Sequence, residues 1–137
     1  MANAVYNGFK VNLFLGLIDF SSVTGMVMLV DAGYAISQGE TVTGDITSEI
    51  TSDGYDRGGR RIESTFITFL PNSSLAWTGM PVTWTGITAN PRYGIVYISG
   101  GTHDTAYVVG QLDLGNQTVV ASDFTITWNS GGIFNML

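Results

Sequence analysis

The second half of this chain is a succession of short β-patterned stretches separated by turn residues, and this limits the fold more than any other feature. Phe124-Thr125-Ile126-Thr127-Trp128 alternates apolar residues with threonine, the period-two spacing of a strand with one buried face. Residues 92–98 place Tyr93, Ile95 and Tyr97 on one face and Val96 and Ile98 on the other. Residues 106–114 answer with a similar pattern, and Gly100-Gly101-Thr102-His103-Asp104 between them predicts a hairpin turn. Residues 62–70 are apolar on parts of both faces, 82–85 are short and β-prone, and 24–30 predict a further buried strand. Gly131-Gly132 leads into a last apolar segment, 133–137. Strands this short, with no helical repeat between them, specify an all-β fold: a single-domain β-sandwich over residues 1–137, with a jelly-roll-like topology as the first expectation.

The first twenty residues are the exception. Val5, Phe9, Leu13 and Leu17 recur every four residues, which predicts a short amphipathic helix with Asn3 as its cap. Asn7-Gly8 is a turn signal and supports an extended arm instead. Residues 33–44 read as a loop, 45–51 as one helical turn capped by Asp45, and 52–59 as dense turn chemistry.

Composition narrows the function. Charged residues make up 12% of the chain, about half the usual ~25%, and Thr, Ser, Asn and Gly take their place. Such a surface is either a neutral β surface or one that a partner covers. The net charge of −6 argues against nucleic acid, which requires a basic footprint, and against anionic membranes. The apolar run 11–20 is interrupted by Asn12, Gly16 and Asp19 and falls short of a membrane span or a secretory signal. The chain is therefore expected to be made in the cytoplasm. It contains no cysteine, which removes disulfides and thiolate metal sites.

Little chemistry is on offer. His103 is the one histidine and sits in a turn, so a catalytic triad or a zinc site lacks its ligands. The carboxylate pairs Asp53/Asp56 and Glu40/Glu49 lie in turn-like segments, where acids serve the backbone. Asp53-Gly54-Tyr55-Asp56 lacks the full calcium-ligand series. We therefore expect no catalytic, cofactor-binding or metal-binding residues. Trp77 and Trp84 suit either the core or a sugar-stacking platform, and Trp128 is in register with Phe124 and Ile126, a core pattern.

Several segments together carry a resemblance: Val5-Tyr6-Asn7, Gly54-Tyr55 with Gly58-Gly59, Ala89-Asn90-Pro91-Arg92-Tyr93-Gly94-Ile95-Val96-Tyr97, Gly110-Gln111-Leu112-Asp113-Leu114, and Phe124 to Trp128 followed by Gly132-Ile133-Phe134. They span nearly the whole chain, which resembles the capsid cement, or decoration, proteins of tailed bacteriophages. The resemblance implies a virion protein on the capsid exterior that bridges neighbouring copies of the major capsid protein, itself a dimer or trimer, and needs no cofactor. Three regions are the expected contacts: residues 5–17, with Val5, Phe9 and Leu13 foremost; the loop with Tyr55, Arg57, Arg60 and Arg61; and residues 133–137, with Ile133, Phe134 and Leu137, an apolar end that is wasteful unless buried. The alternatives are a tail, baseplate or fibre module and a carbohydrate-binding module.

Overall fold

The computed structural model describes residues 4–35, 42–99 and 106–136. The candidates Leu137, His103, Glu40 and Asn3, and the expected turn at 100–104, lie outside them. The chain is an all-β sandwich with one short helix. Its elements are β1 (Ala4–Val5), α1 (Asn7–Phe14), β2 (Thr24–Val30), β3 (Arg60–Arg61), β4 (Phe66–Phe69), β5 (Leu75–Thr78), β6 (Val82–Ala89), β7 (Tyr93–Ser99), β8 (Tyr107–Asp113), β9 (Val119–Ile126) and β10 (Phe134–Met136). The main sheet has the order β1-β8-β7-β2-β3, a second has β10-β5-β4, and β6 pairs with β9; every ladder is antiparallel.

The two small sheets cover one face of the large one. Gly25, Val27 and Leu29 of β2 share that face with their partners Ile98, Val96 and Gly94 on β7. Gly25 lies under the Trp77 ring of β5, and Gly94 lies against Ile126 of β9. Both glycines make room for bulky side chains from the opposing layer, which is why these two strands carry glycine among β-branched residues. A Cβ on Gly25 would come within 2.7 Å of the Trp77 ring.

The edge of β2 is covered piecemeal. β3 pairs only with Met26 and Val27. Beyond it, Val30 bridges Glu49, the Ile50 N–H donates to the Leu29 carbonyl at 3.0 Å, and the Asp31 N–H donates to the Ser48 carbonyl. The Leu29 N–H donates to the Tyr55 hydroxyl, also at 3.0 Å. A buried donor is thereby satisfied by a side chain where no strand is available. Gly59 packs on the same strand at φ 76°, with the Val27 carbonyl and the Met28 Cα where a Cβ would stand.

Several local expectations change. The N-terminal segment is both arm and helix: Val5 pairs with Gly110 of β8, and α1 starts only at Asn7, with no side-chain cap at Tyr6. Gly16, at φ 72°, ends the helix; its N–H and that of Leu17 return to Leu13 and Asn12, a left-handed glycine stop. Leu17 is therefore off the helix. The helical turn lies at Thr43–Asp45, and 46–51 form no regular element: Ser48 turns the chain at φ 63° and Glu49 bridges β2. Ser64 at φ 52° breaks the expected 62–70 strand, leaving β4 alone. β5 has no counterpart in the sequence-based expectation.

Gly59→Ala should cost about 3 kcal/mol or more, combining strain with a backbone clash. Gly115→Ala, also at positive φ but with only the Gln117 side chain nearby, should cost about 1 kcal/mol. Urea midpoints of the two variants test the contrast.

Candidate functional site

Phe9 docks the helix. Its ring lies 5.2 Å from Phe134 and 6.0 Å from Phe20, and Phe20 in turn lies 5.3 Å from Trp77. Edge-on aromatic contacts of this kind add to the apolar burial. The opposite side of α1 also carries apolar residues. Val11 and Phe14 point to solvent beside Lys10, followed by exposed Leu15 and Leu17; Phe14 is 91% exposed. The exposed face of α1 is mixed, Asn7 and Lys10 with Val11 and Phe14, and its apolar part gathers toward the C-terminal end.

A cleft of ≈ 290 Å³ opens beside this helix, lined by Val5, Phe9, Lys10, Leu13 and Phe14 on one side and Phe134 and Asn135 on the other. Leu13 and Phe134 also border Ile67 and Leu75 of the β4–β5 hairpin. The structure thus joins the expected N-terminal and C-terminal contact regions, which are far apart in sequence. It does so with corrections. Phe9, Ile133 and Phe134 are core residues; Val5 and Leu13 are half-buried and remain reachable from the cleft.

The third expected region lies elsewhere. Tyr55 is buried and stacks on Trp84 at 6.4 Å, so it is a core anchor and not a contact residue. Its hydroxyl donates to Glu49 Oε1 at 2.8 Å, and the same oxygen accepts the Gly58 N–H. The Tyr97 hydroxyl donates to the Gly58 carbonyl at 2.6 Å. Arg57, Arg60 and Arg61 are exposed. Arg57 Nε lies 3.9 Å from Glu49 and Arg61 Nε lies 3.6 Å from Glu63. Surface pairs of this type hold a loop weakly.

This network lines a cavity of ≈ 540 Å³ that includes Met28, Thr43, Glu49, Tyr55 and Arg57. Its carboxylate is committed to the Tyr55 hydroxyl and the Gly58 amide, and no cluster of three metal-ligating side chains exists among the described residues. The arrangement is that of a structural brace. Trp77 and Trp84 are also buried, and the Trp128 indole N–H donates to the Met80 carbonyl at 3.0 Å. The three tryptophans therefore supply no exposed platform for sugars.

Phe14 and Leu15 fall within the expected 5–17 region without being singled out, although the unbroken apolar composition of residues 13–15 was a signal for them; the exposed Phe66, Ile67 and Phe69 of β4 were missed. No helix among the described residues is long and apolar enough to cross a membrane. Compared with protein-family models, curated proteins and solved structures, the chain matches none.

Two outcomes test the brace. Tyr55→Phe leaves the Leu29 N–H without a partner and should destabilise by about 1–3 kcal/mol in urea unfolding. The second is a pH dependence. Burial, helped by the Glu49 charge, pushes the Tyr97 phenol up to about 12, and burial raises Tyr55 further. Unfolded phenols ionise near about 10. From about 10 to about 12, the unfolded chain releases protons that the native state keeps, so stability falls as pH rises. The urea midpoint should drop across that window, and less steeply in Tyr97→Phe.

Proposed function

We propose that this chain is a structural binding protein of a virion, cementing neighbouring major capsid subunits from the outside of a tailed-phage shell. The observation that carries the reading is the apolar end of α1, where Phe14 stands in solvent with Val11, Leu15 and Leu17 around it and the cleft beside it. A lone exposed leucine is ordinary, whereas four exposed apolar side chains close together in sequence, two on α1 and two just past its end, favour a contact surface. The low charge of the chain and its resemblance to decoration proteins support the same reading. In it, the sandwich is the jelly-roll-like body of a non-enzymatic protein, and the apolar end seats against the shell. Many identical weak seats then act together, because each bound copy bridges subunits that are already held close.

Purified shells with and without the protein provide the test. Decorated shells should release DNA at a higher temperature than bare ones. Replacing Phe14 and Leu15 by serine should weaken retention on shells by about tenfold or more while leaving the thermal midpoint of the isolated protein nearly unchanged. Equal release temperatures, or full retention of the double variant, overturn the proposal. Label found only on tails would assign the protein to the tail, baseplate or fibre.

A further inference from the structure

The outer edge of β4 has no neighbouring strand among the described residues. Its sequence, Phe66-Ile67-Thr68-Phe69, is short but has no charge, no proline and no bulge in its ladder with β5. The Leu70 N–H donates to the Ser74 carbonyl at 2.9 Å, closing the hairpin. Antiparallel residue pairs alternate between bonded and non-bonded. Counting back along the register from Leu70, Thr68 and Phe66 direct their main-chain groups to β5, whereas Ile67 and Phe69 direct theirs outward.

We propose that β4 is the seam of a two-fold dimer of this chain, with β4 of each copy pairing antiparallel about Thr68. A two-fold axis perpendicular to the sheet keeps each face on its own side, so only residues of like parity can oppose one another. Centring on Thr68 sets Ile67 of each copy against Phe69 of the other. These are the residues whose N–H and C=O groups point outward, so each pair can exchange both main-chain bonds. On the same face they form aromatic–aliphatic cross-strand pairs, and the two Thr68 side chains meet at the axis.

A second copy suits this edge better than a charged partner does. No charged residue occurs between Glu63 and Arg92, so a chain with net charge −6 can meet itself here without placing like charges together. Phe66 and Phe69 are 56% and 83% exposed. At roughly 200 Å² per ring side chain they offer on the order of 280 Å², about a third of the ~800 Å² that each partner of a stable complex buries. Ile67 and Leu75, with Leu13 beside them, extend the surface. The seam is independent of the shell-binding reading and stands or falls without it.

Sedimentation of the full chain tests it. The wild type should be dimeric at about 100 μM, and Phe69→Lys and Ile67→Glu should each raise the dimer dissociation constant about tenfold or more. Both sites are exposed, so circular dichroism should show each variant folded. Mixing the two variants should restore dimers, because the heterodimer sets Lys against Glu on one side of the axis and keeps Phe against Ile on the other. A monomeric wild type overturns the proposal and leaves the edge to a strand of another protein. Variants that remain dimeric, or a mixture that stays monomeric, overturn it as well.

Discussion

The hydroxyl of Tyr55 closes the gap on which this sandwich depends. β2 is hydrogen-bonded to β7 along its whole length, but β3 protects only two residues of its other edge. Without a further cover, the buried Leu29 N–H would face apolar side chains, at a cost comparable to a lost hydrogen bond. Tyr55 accepts a hydrogen bond from that N–H, stacks on Trp84 of the opposing sheet and donates a hydrogen bond to Glu49. One side chain thus ties an edge, a facing layer and a loop. Glu49 then gathers Gly58, and Tyr97 holds the Gly58 carbonyl from the neighbouring strand. The loop from Glu49 to Arg61 can follow β2 so closely only because Gly59 has no side chain.

That brace explains why the cavity beside it is a poor candidate for chemistry. A catalytic carboxylate requires a proton to move and room for a substrate near it. Glu49 instead accepts two hydrogen bonds that position the loop, and disturbing them would loosen β2. Arg57 extends from this loop, so its placement reports on the brace before it reports on any partner.

The parts of the fold visible in the sequence are those set by local pattern. Residues 24–30 read as a buried strand and form β2; the alternation at 92–98 and 106–114 predicts β7 and β8 to within about a residue or two. Where long-range contacts decide, the pattern is silent. Leu75–Thr78 is too short to show a period, and it becomes a strand because β4 and β10 flank it. Ser64 breaks the longer apolar run, although serine gives no warning of positive φ. Tyr55 and Arg57 look alike as loop residues next to glycines, yet one is an anchor and the other faces solvent. The candidate surface was legible in half. Val5, Phe9, Leu13 and Phe134 do converge, but a four-residue spacing singled out the helix's buried side and left Phe14 unmarked within the 5–17 region.

The contrast between the two edges bears on how such a molecule would assemble. The chain covers the open half of β2 with a tyrosine, a bridge and a glycine-bearing loop, and it leaves β4 bare and uncharged. A two-fold seam at β4 would place two copies of the α1 end on one body. Each end exposes only a few apolar side chains, a surface too small for tight binding alone. Joined, the second end would find its seat at the high effective concentration set by the first, provided the spacing of seats on the partner matches the span of the pair. Weak ends joined through such a seam would favour a lattice of identical subunits over a single soluble partner.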